Sequence, residues 1–412
     1  MENELQYKAF RFRLLPTAEQ SVLLAKHFGC VRLVYNHFLQ EKQEHYLKNG
    51  KTLNFNNCNH MLVELKQQED RKWLSEVNAQ SLVGSLMHLE TAYGNFFKKL
   101  TAFPKYKKKG NHESFHCCQH VKVKNNLVQI IKFKEGIKFC KHREIKGKIK
   151  SATISRVPSG KYFVSFLCEI PKHQPLPKTG KSIGIDLGLK DFLITSEGRR
   201  FTNPKFYVNN QKELARTQKH FSRKQTGSKR REKQRLKVAR IHEKITNSRN
   251  DMQHKVALNL IKDYDLIALE TLNVKGMVKN HKLAKAIQDV SWYSFIAKLK
   301  YKANWYGKEV YQNERFFPSS KTCSCCGHIK EKLALEERSW TCAKCNTKHD
   351  RDVNAAKNLL QRALTVKSSG TDDYRHGAEV RLDGVSKASE SIGIEVSKKK
   401  NGRKYILKPR KR

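Results

Sequence analysis

KSIGIDLGLKDF, residues 181–192, places a carboxylate at the end of an apolar run. Ser182–Asp186 reads as a short apolar strand that ends on an acid, with Gly188 at the following turn. A carboxylate in such a run is expensive to bury without a partner. The pattern returns at Asp265–Glu270, where Leu266-Ile267-Ala268-Leu269 runs into Glu270. A third acid stands in His349-Asp350-Arg351-Asp352-Val353-Asn354-Ala355-Ala356, ahead of a helix predicted over Asn354–Leu364.

Each acid alone has a plainer reading. A carboxylate after an apolar strand is often a turn residue, and Asp352 suits the N-cap of the Asn354 helix. The three together carry more. If the two strands are neighbours and the helix start packs beside them, three carboxylates converge and repel unless cations sit between them. Mg²⁺ takes carboxylate oxygens, waters and phosphates, and two such ions serve phosphodiester cleavage. That is the arrangement of RNase H-like nucleases. The Asp186-Leu187-Gly188 turn of an actin-like ATPase is an alternative, but the further glycine-rich phosphate loops of that fold are missing.

Composition points the same way. The 412 residues carry 83 Lys+Arg against 38 Asp+Glu, a formal charge of +45. A chain this basic needs a polyanion, and nucleic acid is the usual one. No run of 18 apolar residues and no signal-peptide pattern occurs, so the expectation is a cytoplasmic protein acting at the nucleoid, with no membrane partner. The 11 cysteines do not form a disulfide framework. Cys323, Cys326, Cys342 and Cys345 are spaced C-x2-C-x15-C-x2-C, the pattern of a four-thiolate zinc ribbon. Such a closed shell is structural. Cys325 is spare on this reading, and His328 and His349 are possible substitutes.

Outward from these motifs the chain divides by texture. Residues 6–15 alternate as a strand, and Thr17 and Gln20 are placed as a capping box. Helices are expected from there, near Asn57–Gln68 and over Ala79–Leu100. Short strands are expected at Leu127–Phe133, Gly136–Lys138, Ser151–Val157 and Tyr162–Ile170, the last two joined as a hairpin. The 6–15 strand is expected to join this β-module, with the helices inserted. After a linker at 171–177 come strands at Ser182–Asp186, Phe192–Thr195 and Arg200–Phe201 and a long helical stretch over 208–262. Asp265–Glu270, a helix over Trp292–Tyr306 and a strand at Glu309–Asn313 follow.

Basic residues gather in two places. Arg223–Arg249 holds 11 Lys/Arg and two Glu, a bias that favours phosphate contact, with Arg223, Lys224, Lys229, Arg230, Arg231 and Arg235 as candidates. Lys105, Lys107, Lys108 and Lys109 form the second group, among Phe96, Phe97, Phe103 and Tyr106, which serve either as base-stacking platforms or as core.

Several motifs occur together, in order. They are Arg32-Leu33-Val34-Tyr35-Asn36, Leu89-Glu90-Thr91-Ala92-Tyr93, Gly184-Ile185-Asp186-Leu187-Gly188, Leu269-Glu270, Phe317-Pro318-Ser319-Ser320, the cysteine pairs and Asp350-Arg351-Asp352-Val353-Asn354-Ala355-Ala356. Over residues 6–364 the chain resembles the TnpB family, transposon-encoded RNA-guided nucleases related to type V CRISPR effectors. The resemblance implies an α+β multidomain fold: a wedge β-barrel with an inserted helical recognition domain, then an RNase H-like (RuvC) nuclease domain with an inserted zinc ribbon. The implied boundaries are 1–16 and 113–178 for the wedge, 17–112 for the helical domain, 179–320 and 349–365 for RuvC, and 321–348 for the ribbon. Residues 366–412 are expected to be a basic, disordered tail. The resemblance makes Asp186, Glu270 and Asp352 the catalytic triad holding Mg²⁺, with Asp350 second choice to Asp352. It implies a guide RNA (ωRNA) from the transposon end and a double-stranded DNA target beside a short motif. A monomeric protein in a ribonucleoprotein is expected. A non-catalytic zinc-ribbon regulator and a strand-transferring transposase remain as alternatives.

Overall fold

The computed structural model describes residues 5–110, 113–334 and 336–369. The tail expectation from residue 370 onward lies outside the described residues.

Strand β1 (Leu5–Leu15) alternates and buries Phe10, Phe12 and Leu14. Helix α1 (Ala18–Asn49) opens on the predicted capping box. Thr17 Oγ1 accepts the Gln20 N–H, and the Gln20 side chain accepts the Thr17 N–H. Gly50 ends the helix at φ 65, a left-handed position that glycine occupies without strain. Helices α2 (Phe55–Gln67) and α3 (Ala79–Phe97) complete the insertion, with a 3₁₀ segment at Glu69–Glu76 between them.

Six strands follow: β2 (Glu113–Cys117), β3 (Lys122–Lys124), β4 (Leu127–Ile130), β5 (Phe133–Cys140), β6 (Lys148–Arg156) and β7 (Tyr162–Pro171). With β1 they form one sheet in the order β2-β6-β7-β1-β5-β4-β3. β1 pairs antiparallel with β7 from Leu5↔Pro171 to Leu14↔Tyr162, and with β5 at Arg13–Leu15. The first strand is therefore central, and the helices are an insertion between it and β2, as expected. The expected strands at 127–133 and 136–138 are differently divided. The chain turns at Lys132, φ 75, and β5 runs unbroken through Gly136. No ladder joins β2 to β3 among the described residues.

The second sheet takes β8 (Ser182–Leu187), β9 (Asp191–Thr195), β10 (Arg200–Thr202), β11 (Leu266–Leu269) and β12 (Glu309–Gln312), in the order β10-β9-β8-β11-β12. β8, β11 and β12 are parallel to one another, while β9 and β10 are antiparallel additions. The helical stretch expected over 208–262 is divided into two helices, α4 (Phe206–Ser222) and α5 (Lys229–Asp263). Gly227 at φ 84 reverses the chain, and the Ser228 side chain caps α5 through the Arg231 N–H. Between β11 and β12 lie α6 (Val274–Met277), α7 (His281–Val290) and α8 (Trp292–Tyr306).

Ile183, Ile185, Ile267 and Leu269 bury one face of this sheet against Val256, Leu260 and Ile261 of α5 and Phe295 and Leu299 of α8. The opposite face receives the last helix, α9 (Arg351–Ser368), reached through the hairpin β13 (Ser339–Thr341) and β14 (Lys348–Asp350). α9 begins before the predicted Asn354 and runs past the expected boundary at 365. Asp350, not Asp352, is its N-cap. Among the described residues no helix is long and apolar enough to cross a membrane.

Candidate active site and zinc ribbon

Parallel pairing aligns Gly184 with Ala268 and Ile185 with Leu269. One step further along the same register, Asp186 and Glu270 lie side by side at the carboxyl ends of adjacent strands. Side chains alternate along a strand, so Gly184, Asp186, Ala268 and Glu270 share the face opposite the isoleucine core. That face meets α9 at close range. A Cβ on Gly184 would overlap the carbonyl oxygen of Ala356, so the missing side chain sets how near the helix comes. Ala356 lies one turn beyond Asp352. The close crossing thus carries Asp352 toward the two strand ends.

Electrostatics register the convergence. Burial, then the charge of Asp352, pushes the Asp186 carboxyl well above the usual carboxylate range. Burial, then Asp186, does the same to Glu270. Three acids held this way favour a cation between them. Their oxygens are spread more widely than a single tight cage. Among the described residues, the groups whose ligand atoms all lie within 4.8 Å contain cysteines. Hard oxygen donors of this kind suit Mg²⁺, which completes its shell with waters.

Two arginines that the sequence did not single out stand beside Asp352. Its Oδ2 is 4.0 Å from Arg200 and 3.7 Å from Arg338. Arg200 comes from β10 and Arg338 from the cysteine-bearing insert, so no sequence spacing announces them. Asp350 is differently employed. Its Oδ1 accepts the N–H groups of Asp352 and Val353 at 3.1 and 3.0 Å, and its Oδ2 pairs with Arg200 at 2.7 Å. One oxygen caps the helix start, and the other ties it to β10.

The four predicted cysteines come together, with Cys323–Cys345 and Cys326–Cys342 sulfur separations of 3.6 Å. A tetrahedron with zinc–sulfur bonds of about 2.3 Å has edges of about 3.8 Å, so the cluster fits zinc. A second set, Cys323, Cys325 and His349, is also close enough to share an ion. His349 Nε2 lies 3.0 Å from Cys323 Sγ, and its ring packs on buried Trp340. The first cysteine turn is fixed to α9 by two asparagines. Asn354 donates to Thr322 O at 2.7 Å and accepts the Ser324 N–H at 3.0 Å. Asn358 donates to Ser319 O and Thr322 O. Ribbon and carboxylate-bearing helix are one hydrogen-bonded piece.

The basic candidates divide. Lys105, Lys108, Lys109, Arg223, Lys224, Lys229 and Arg230 are exposed. Lys107 lies over the Tyr35 ring at 3.9 Å. Arg231 donates to Phe221 O and Lys224 O, and Arg235 pairs with Glu232 and donates to Pro158 O. Phe96 and Phe103 pack edge to face at 5.2 Å, while Phe97 is 67% exposed.

Three family models match the chain. "Probable transposase" (OrfB, IS605) covers residues 165–281, and "Cas12f1-like, TNB domain" covers 292–359. A model described as a helix-turn-helix domain covers residues 1–51, a span whose described part holds β1 and α1. A "Putative RNA-guided DNA endonuclease" of Streptomyces pristinaespiralis is 38% identical over 93% of this chain and 96% of its own length. The "Putative RNA-guided DNA endonuclease InsQ" of Escherichia coli K12 is 31% identical over 88% of this chain and 94% of its own. A Cas12f1–sgRNA–target DNA complex aligns at 16% identity and TM-score 0.35, over 87% of this chain and 100% of that one. On the full-length identity to these relatives, the chain belongs to the TnpB (OrfB, IS605) family.

Proposed function

We propose that this protein is an RNA-guided DNA endonuclease. A guide RNA (ωRNA) from the transposon end directs it to double-stranded DNA beside a short transposon-associated motif, where it hydrolyses phosphodiester bonds and so supports transposon maintenance. Asp186, Glu270 and Asp352 are its catalytic carboxylates, and Mg²⁺ is their metal. The seven-stranded sheet takes the role of the wedge barrel, α1–α3 the recognition insertion, and the five-stranded sheet with α9 the RuvC nuclease. The protein acts as a monomer in its ribonucleoprotein.

The observation that carries this reading is the α9 crossing at Gly184, which sets a third acid beside two aligned strand ends. Bound there, Mg²⁺ supplies Lewis-acid charge that activates water and stabilises the leaving oxygen. The chain's own part is placement. Asp186 and Glu270 are fixed by strand register and Asp352 by the helix crossing. Asp350 holds the first turn, and Arg200 and Arg338 lie where a phosphate could reach them. Structural Zn²⁺ at Cys323, Cys326, Cys342 and Cys345 keeps the ribbon folded beneath α9.

Co-purification with the transcript flanking the gene, followed by cleavage of DNA matching that RNA, tests the proposal. Changing the guide segment moves the cut. RNA-free protein cutting the same site at the same rate would overturn it.

A further inference from the structure

The exposed basic residues around 223–235 suggest a charged outer surface, but the α4–α5 hairpin also forms an open cleft of about 710 Å³. Arg216, His220 and Lys224 come from α4 and its C-terminal end, and Lys237, Arg240 and Lys244 from α5. Glu213 is the sole acid in the lining, and Thr217 and Ile241 are its buried members. Five Lys/Arg side chains and His220 on two facing walls, with one acid between them, match a phosphodiester backbone. Only Lys224 of the six was singled out by the charge run.

We propose that this cleft is a dedicated RNA-backbone site, separate from the carboxylate centre. The inference rests on the RNA-guided reading above. Position favours RNA over the DNA target. Arg240 is 20 residues before Leu260, which packs beneath the nuclease sheet, or about 30 Å along α5. DNA to be cut must reach the carboxylates, whereas a permanently held RNA need not. The hairpin is also fixed to the first sheet, away from the carboxylates. Arg235 donates to Pro158 O, and Lys161 pairs with Glu243 at 3.0 Å. Finally, Gln234 lines the cleft, donating its amide to Thr217 O. Its carbonyl oxygen is a neutral acceptor of the kind that meets a 2′-hydroxyl, which DNA lacks.

The test compares two triple variants of equal charge change on one helix. Lys237→Ala/Arg240→Ala/Lys244→Ala strips the cleft wall. Lys229→Ala/Arg230→Ala/Lys233→Ala strips exposed positions outside it. The full-length protein, freed of nucleic acid in high salt, is titrated with a labelled RNA hairpin and a DNA hairpin of the same sequence across a salt series. The cleft variant is expected to lose at least about tenfold in RNA affinity, with the salt-dependence slope reduced by roughly two to three. The control variant is expected to lose much less, and DNA hairpin binding to fall equally in both variants. Equal RNA losses would reduce the cleft to part of a diffuse basic surface and overturn the proposal. A DNA loss matching the RNA loss in the cleft variant would overturn its assignment to RNA. Cleavage by the RNA-loaded wild type is a separate readout: its absence would remove the nuclease reading without deciding what the cleft binds.

Discussion

The two sheets spend their inward-facing residues differently. The first is built for packing. Phe12, Phe115, Phe139 and Phe166 are among its largest fully buried side chains, and Phe12 lies 5.3 Å from Phe139 and 6.0 Å from Phe166, ring centre to ring centre. The second gives up volume where α9 crosses it. Gly184 and Ala268 lie under the helix, and Ala355 and Ala356 come down onto the sheet. Small residues bring backbones together but contribute little apolar area. The same sheet also holds two carboxyls that burial penalises. One region supplies stability, while the other accepts a local cost to hold charge in place.

Loss of a single carboxylate separates the regions outright. Asp186→Asn, Glu270→Gln or Asp352→Asn should each reduce guided cleavage by at least about 10³-fold, the upper end for losing one preorganised electrostatic contact, while RNA binding persists. The metal-free Asp186→Asn protein should melt higher than wild type, because a repelling buried charge is gone, and Mg²⁺ should no longer raise its melting temperature. Asp350→Asn should keep measurable cleavage with a weakened helix start. If Asp350→Asn is the dead variant and Asp352→Asn is active, the assignment is reversed.

Next in size is the ribbon. Cys323→Ser should abolish tight zinc binding, measured as metal per chain, because such binding is part of the folding free energy. Protection of α9 from hydrogen exchange should fall with it, through Asn354 and Asn358. Correctly folded wild type with no zinc would contradict this.

A matched pair of packing variants sharpens the contrast. Phe12→Ala should cost about 3–5 kcal/mol of stability in a denaturant melt, with cleavage per folded molecule little changed. Gly184→Ala should cost less, about 1–3 kcal/mol for overpacking, yet suppress cleavage by displacing α9 with every carboxylate intact. Full activity in Gly184→Ala would mean the close crossing does not position Asp352.

The smallest effect is acid sensitivity of the first region. His27 is fully buried, donates Nδ1–H to Leu23 O and accepts the Asn78 N–H at Nε2, so it is neutral. Burial holds its pKa below the ordinary imidazole value. Its contribution is complete above that ordinary value and is lost as pH falls through and below it, because the unfolded chain takes up the proton first. The loss is at most about 1.4 kcal/mol per pH unit. Melts of wild type and His27→Gln across mild acid should show a steeper slope in wild type, the remaining slope coming from His88 and His116, whose pKa values burial also lowers.

Features that depend on short spacing were legible in the residues alone. The capping box at Thr17 and Gln20, the Pro158–Lys161 hairpin and the two C-x2-C turns are settled by residues a few positions apart, where local geometry leaves few choices. The strand-end acids were visible for the same reason. Tertiary structure decided what they meet. Register between β8 and β11 sets Asp186 beside Glu270, across a gap that no periodicity spans. Gly184 matters because of Ala356, a contact between residues far apart in the chain. Asp350 and Asp352 look interchangeable as neighbours, and only the helix start, one residue earlier than Asp352, gives one the cap and leaves the other to face the sheet. The basic run was legible as charge, but its division into a cleft wall, backbone clamps and solvent-facing positions follows from Gly227 dividing one expected helical stretch into two helices that pack together. Local spacing fixes local geometry, and long-range pairing assembles the site.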